Sequence, residues 1–124
     1  MVKSLNSSNM SKAESNRRYW KTISGKLMMT YNNMNRRVRG YVKPHLYNGL
    51  ELCTREEFYS WSSTNESFVL LYKEWVDSDY SRSLSPSIDR IDSSLGYTFE
   101  NMQWITLSEN SRRGANSRWR DNDS

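Results

Sequence analysis

The chain has 124 residues, of which 35% are hydrophobic, and it carries a formal net charge of +4. This length suits a single domain with a modest core, and five Trp, eight Tyr and three Phe supply bulky groups to fill it. Cys53 is the single cysteine, which excludes an intrachain disulfide and a thiolate zinc site. Because no run approaches the roughly 20 apolar residues of a membrane span, we expect a cytoplasmic protein without a membrane partner.

The charge is distributed unevenly along the chain. Residues 1–50 contain ten Lys or Arg and one acidic residue, residues 51–111 contain four basic and eleven acidic residues, and residues 112–124 are again mainly basic. Basic ends around an acidic middle suit a protein whose ends contact phosphates and whose centre binds a cation. An ordinary solvated surface shows the same distribution, so charge alone leaves both interpretations open.

The first predicted helix follows a polar arm of residues 1–10. Ser11 and Glu14 form a capping box, and beyond it apolar residues recur every three or four positions to about Arg36, in spite of Gly25. These positions are Trp20, Ile23, Leu27, Tyr31 and Met34. The stripe predicts one amphipathic helix whose apolar face belongs to the core.

The segment from Arg39 to Leu52 predicts a loop, which can include a short hairpin at Tyr47 to Leu50. Its breakers are Gly40, Pro44, Asn48 and Gly49. Helical signals then resume and indicate a two-helix platform.

Two capping signals define that platform. Thr54 with Glu57 forms a capping box before a short helix that bears Phe58 and Trp61. Asn65 can cap the next helix, whose apolar face consists of Phe68, Leu71, Tyr72 and Trp75. From Asp77 to Ser85 the periodicity stops.

The stretch from Pro86 to Arg113 has a different pattern. Ile88 and Ile91 surround two charged residues and predict a strand, and the run from Ser93 to Gly96 predicts a turn. Met102 to Thr106 has the composition of a second strand. Thr106 with Glu109 then opens a helix, so the predicted order is strand, turn, strand, helix.

Asp89, at the end of the first strand, and Asn110, on the first full turn of the last helix, would approach each other if that helix folds back on the hairpin. Two oxygen ligands with further positions left to water and phosphate suit Mg²⁺. The alternative is that Asp89 pairs with Arg90 or Arg112 and that Asn110 caps a backbone group.

These residues resemble a known family. The runs Pro86 to Asp92, Gly96 to Thr98 and Glu100 to Thr106, followed by Glu109-Asn110, are similar in order and spacing to the HNH endonuclease superfamily, above all its small phage-encoded and homing-type members. Together with residues upstream of this stretch, the resemblance covers roughly residues 27–113. It is carried there by Tyr31, Met34, Arg37, the run Tyr47 to Cys53, Phe58 and Trp61.

The resemblance implies a mainly helical α+β fold, in which N-terminal helices pack on a C-terminal ββα-metal unit of hairpin and helix. With the polar composition of residues 1–10, which predicts a flexible arm, it places a single HNH-like domain at 11–115. That domain divides into a helical lead-in at 11–77 and the ββα unit at 86–115. A flexible basic tail follows at 116–124.

The roles of the family's residues carry over by position. Asp89 and Asn110 match the ligands of a divalent metal, Mg²⁺ or Mn²⁺, and Asn101 matches the Asn that braces the hairpin. The water-activating His of the family is replaced by Arg90, whose guanidinium cannot accept a proton. Arg90 could instead clamp the scissile phosphate. The base would then be a metal-activated water or His45, the single histidine.

The implied function is that of a phage-encoded, metal-dependent DNA endonuclease or nickase acting on double-stranded DNA in the host cytoplasm. Basic residues flank the unit and are candidate phosphate contacts. They are Arg36, Arg37, Arg39, Lys43, Arg112, Arg113, Arg118 and Arg120. Loss of the His leaves a second interpretation, a catalytically inactive HNH-fold protein that grips DNA or inhibits or redirects a host enzyme.

Overall fold

The computed structural model describes residues 12–114. They form a mainly helical α+β fold with one two-stranded antiparallel sheet. The expected N-terminal arm, the Ser11 half of the first capping box and the basic tail lie outside the described residues. None of the helices in the described part is long and apolar enough to cross a membrane.

The elements follow one another with short connections. The helices are α1 (Lys12–Lys21), α2 (Ile23–Val38), α3 (Pro44–Tyr47), α4 (Arg55–Ser63), α5 (Glu66–Asp77) and α6, which covers residues 107–114 of the described range. The strands are β1 (Pro86–Arg90) and β2 (Met102–Thr106). Two 3₁₀ turns, Arg82–Leu84 and Phe99–Asn101, precede the strands.

The prediction of one N-terminal helix is wrong, because the chain breaks at Thr22. Thr22 is extended, with φ −75° and ψ 162°, and its hydroxyl accepts a hydrogen bond from the backbone N–H of Gly25. This N-cap starts α2 as a new helix. As a result Ile23, which the predicted stripe assigned to the core, is 46% exposed.

Gly25 permits the close approach of α1 to α2. A Cβ built on Gly25 would lie 2.0 Å from the carbonyl oxygen of Tyr19. We therefore expect Gly25→Ala to destabilise the protein by about 1–2 kcal/mol, although alanine favours a helix by up to about 1 kcal/mol over glycine. The loss is limited because α1 contains no buried residue and can move away.

Urea unfolding and hydrogen exchange across α1 measure this effect. Gly114→Ala is the matched control, since its Cβ would meet no atom within 4 Å. Equal stability of the two variants would contradict the steric argument.

The segment between α2 and α4 contains the short helix α3, so the hairpin predicted at Tyr47 to Leu50 is wrong. Gly40 and Gly49 have φ values of 85° and 81°, a region that glycine enters without steric cost. They let the chain turn back, and the Gly49 N–H donates to the carbonyl of Val38 at 2.9 Å. The chain does turn at the predicted glycines, but the N–H of Gly49 bonds to α2 and not to a second strand of a hairpin.

Both capping predictions for the platform are confirmed. Thr54 and Glu57 form the reciprocal capping box of α4, and the Asn65 side chain accepts from the N–H of Phe68 at the start of α5. Each satisfies backbone donors that the first helical turn cannot pair. The starts of α4 and α5 are therefore determined locally.

The core lies where the sheet meets α2, α4 and α5. Trp104 of β2 is central: its ring centroid is 4.6 Å from that of Phe68, and its indole N–H donates to the hydroxyl of the fully buried Ser62 at 3.1 Å. The other buried members are Leu27, Tyr31, Met34, Phe58, Ile88, Tyr97 and Met102. The second predicted strand is confirmed, whereas β1 ends at Arg90 and leaves Ile91 55% exposed.

Candidate functional site

The two faces of the hairpin have different surroundings. In the antiparallel register Ile88 lies opposite Trp104, and Asp89 lies opposite Gln103. Because side chains alternate between the faces of a strand, Ile88 and Trp104 point into the core, where both are buried. Asp89 and Gln103 occupy the opposite face, on which α6 packs.

The Asp89 carboxylate is held by two donors. Its Oδ2 accepts hydrogen bonds from Gln103 Nε2 and Arg113 Nε, each at 2.9 Å. The Asp89 side chain is 12% exposed and that of Arg113 is 42% exposed. The ion-pair partner is thus Arg113, and not Arg90 or Arg112 as the alternative interpretation had it; Arg112 pairs with Glu109.

Asn110 shows that α6 folds back on the hairpin, as expected. Its Nδ2 donates to Ser87 Oγ at 2.7 Å and to the carbonyl of Ile88 at 3.0 Å. Ser87 is two residues before Asp89, which is about 6–7 Å along a strand. Arg113, one helical turn beyond Asn110, is therefore the α6 side chain that meets the carboxylate.

The Asp89 carboxylate is of the kind that a hard divalent cation prefers, and Asn110 as its second ligand stays a prediction. Within residues 12–114 no group of three or more His, Cys, Asp or Glu side chains could hold a metal. Mg²⁺ needs one or two carboxylates, with water and phosphate completing its shell. Asp89 offers such an oxygen at a position that already holds a positive group, and the Asn110 amide nitrogen donates to Ser87 on the same face.

Asn101 braces the connection between the strands. Its Oδ1 accepts from the N–H of Asp92 at 2.8 Å, and its Nδ2 donates to the carbonyls of Asp92 at 3.0 Å and Gly96 at 2.8 Å. The side chain is 5% exposed. These bonds match the bracing role expected from the sequence, while a direct part in catalysis stays a prediction.

Arg90 is not brought together with Asp89. It lies on the other face of β1, where its Nη1 donates to the carbonyls of Ser93 at 2.7 Å and Leu95 at 3.0 Å. Its guanidinium also lies over the ring of Tyr47, 4.6 Å from the centroid. This arrangement gives Arg90 a role in holding the turn against α3.

His45 is exposed on α3. Within the described part of the chain, its ring makes no hydrogen bond or ion pair. Its proposed role as a base therefore stays a prediction without a structural contact to Asp89.

The predicted phosphate contacts fall into two groups. Arg36, Arg37, Arg39 and Lys43 lie at the end of α2 and in the following turn. Arg37 is partly fixed, since its Nη1 donates to the hydroxyl of Tyr97 at 3.4 Å. Arg112 and Arg113 lie on α6, and Arg118 and Arg120 lie outside the described residues.

Sequence reasoning missed Lys26 and Arg82. Both line a cleft of about 760 Å³ between α2 and the start of β1 and α6. A signal existed, because Lys26, Thr30, Asn33 and Arg37 form a polar stripe at helical spacing beside the apolar stripe of α2. Arg82 had no comparable signal, since it lies in the aperiodic segment before β1.

Cys53 is a partly buried free cysteine. Burial, with the nearby Glu57 carboxylate, raises the pKa of Cys53 from 9.0 to about 11. Because the thiolate is the nucleophile, we expect alkylation at about pH 8 to be about 100-fold slower in the folded than in the unfolded protein.

The same shift sets a pH dependence of stability. The folded state holds the thiol proton more tightly than the unfolded state does. The protonated thiol therefore makes its full contribution to the free energy of unfolding below pH 9.0, and this contribution is lost as the pH rises towards about 11. Iodoacetamide rates with and without guanidinium, together with urea unfolding at rising pH, measure both effects. Equal alkylation rates would contradict the burial of the thiol.

Compared with protein-family models, with curated proteins and with solved structures, the chain matches none of them. The resemblance to HNH endonucleases therefore depends on the motif residues of the sequence.

Proposed function

We propose that the protein is a metal-dependent DNA endonuclease or nickase of HNH type, with Asp89 as its principal metal ligand. The observation that supports this is the Asp89 carboxylate beneath α6, which already binds a positively charged group, the Arg113 guanidinium. The order of strand, braced turn, strand and packed helix around it agrees with a ββα-metal unit. Double-stranded DNA would be the substrate.

The neighbours of Asp89 would each have a defined task. Gln103 donates to the carboxylate and fixes its orientation. Arg113, whose side chain is 42% exposed, could turn towards a DNA phosphate when a divalent ion takes its place. The ion would supply Lewis-acid stabilisation of the phosphodiester. Asn101 would keep the loop between the strands in place.

Plasmid nicking tests the proposal. The full chain, incubated with supercoiled plasmid and Mg²⁺ or Mn²⁺, is expected to produce open circles, and EDTA should abolish the product. Activity that persists in EDTA would contradict the proposed dependence on a metal. Absence of nicking with either ion across neutral and alkaline pH would overturn the proposal.

A second candidate is a DNA-binding protein that does not cleave. The observation in its favour is Arg90, which stands at the family's His position and binds backbone carbonyls of the turn. In this case a short DNA duplex would bind in EDTA with a strong dependence on salt, and nicking would be absent. A host protein retained in stoichiometric amount without any DNA binding would favour the inhibitor version of this candidate.

A further inference from the structure

The cleft between α2 and the strand unit is lined by charged side chains of one sign. Lys26 and Arg37 of α2 line one wall, and Arg82 lines the other. Hydroxyl and amide groups lie between them: Thr30, Asn33, Ser85, Ser87, Asn110 and Ser111. No acidic side chain belongs to the lining found within residues 12–114. The cleft therefore offers cations and hydrogen-bond donors together.

Lys26 is the most constrained of the cations. Its Nζ donates to Ser85 Oγ at 2.5 Å and lies 4.9 Å from the centroid of the Trp75 ring. Among the described residues no carboxylate forms an ion pair with it. Burial lowers the pKa of Lys26, since an ammonium group removed from water loses hydration. An anion in the cleft would offset that loss.

The wall beside Lys26 contains a strained turn. Asp79 and Tyr80 have φ values of 60° and 63°, a left-handed conformation that is unfavourable for residues other than glycine. The turn holds the Tyr80 ring edge-on to Trp75, with centroids 5.0 Å apart. The N–H groups of Asp79 and Tyr80 donate to the carbonyls of Val76 and Trp75, so this turn closes the C-terminus of α5 and fixes the Tyr80 ring in the wall of the cleft.

We propose that this cleft binds a phosphate ester of a nucleotide. A ligand with one carboxylate would leave some of the three cations and several neutral donors unpaired. A phosphate group accepts more hydrogen bonds, and its oxygens match the fork of a guanidinium group. The volume of about 760 Å³ lies within the range of pockets that hold ligands of nucleotide size. The inference goes beyond the proposed cleavage, because it requires no metal.

Binding in EDTA tests it with three probes: inorganic phosphate, dAMP and a short DNA duplex. Lys26→Met keeps an apolar stem against Trp75 and removes the charge, and Arg82→Gln removes the charge of an exposed residue in the 3₁₀ turn before β1. We expect each to weaken binding by about tenfold. Lys73→Met is the matched control, because it loses the same charge from an exposed pair with Asp77 on α5.

Each outcome has a defined meaning. Binding of dAMP or phosphate that both cleft variants weaken supports a site for a free nucleotide, and an effect confined to the duplex supports a site for a DNA strand. The proposal would be overturned if Lys26→Met and Arg82→Gln bound every probe as tightly as Lys73→Met does. It would also be overturned if the wild type bound none of the three probes. If the protein bound the probes in EDTA but did not nick DNA, the proposed cleavage would be wrong and the phosphate site would stand. The two proposals can therefore be contradicted independently.

Discussion

Asp89→Asn is expected to reduce metal-dependent nicking by about 100-fold or more, because a metal ligand contributes several kcal/mol to stabilising the transition state. The substitution is conservative in shape. The Asn oxygen can still accept the hydrogen bond of Gln103, whereas the charge that holds Arg113 is lost. Because Asn keeps an oxygen for Gln103 and the Arg113 side chain is 42% exposed and can reach water, the variant should fold normally.

Asp92→Asn is the matched control for this experiment. It removes the same charge three residues later, from an exposed carboxylate whose Oδ1 accepts from Ser94, and should retain wild-type nicking. Arg113→Gln should instead favour metal binding, because it removes the cation that competes with Mg²⁺ for Asp89. The Mg²⁺ concentration needed for half-maximal activity should fall. Equal activity of Asp89→Asn and Asp92→Asn would eliminate Asp89 as the metal ligand.

Asn101→Ala is expected to lower stability by about 3 kcal/mol, which is a fall in Tm of about 10–20 °C for a domain of this size. Three side-chain hydrogen bonds to the backbone of Asp92 and Gly96 would be lost. Replacing a buried partner leaves those backbone groups unpaired, which is more costly than losing an exposed bond. Thermal unfolding measures the effect.

Two further variants make this prediction specific. Asn101→Asp keeps the shape but turns a carboxyl oxygen towards the carbonyls of Asp92 and Gly96, so it should destabilise as well. Asn32→Ala removes an amide that accepts one exposed hydrogen bond from Arg55, and its Tm should change by a few degrees at most. A Tm for Asn101→Ala close to that of Asn32→Ala would contradict the bracing role.

Local signals determined much of the fold from the sequence alone. The caps at Thr54 and Asn65 were predictable because a capping side chain bonds to a backbone N–H only three residues away. The strand from Met102 to Thr106 was predictable because its composition and alternation match one buried face. The brace at Asn101 was expected from the family resemblance, and its hydrogen bonds are present in the structure.

The tertiary structure decided what depends on contacts between distant segments. How closely α1 lies against α2 beyond the Thr22 cap is such a case, since Gly25 of α2 lies against the Tyr19 carbonyl of α1. The partner of Asp89 depends on the position of α6 along β1. A shift of one helical turn would have put Asn110 where Arg113 lies, and no local pattern fixes that position.

The stretch from Pro86 to Arg113 illustrates the division. Its order of strand, turn, strand and helix follows from residues that interact with near neighbours in the chain. The ion pair of Asp89 with Arg113 and the cleft around Lys26 require side chains separated by 24 and 59 positions to meet. Sequence determined which chemical groups are present, and packing decided which of them share a site.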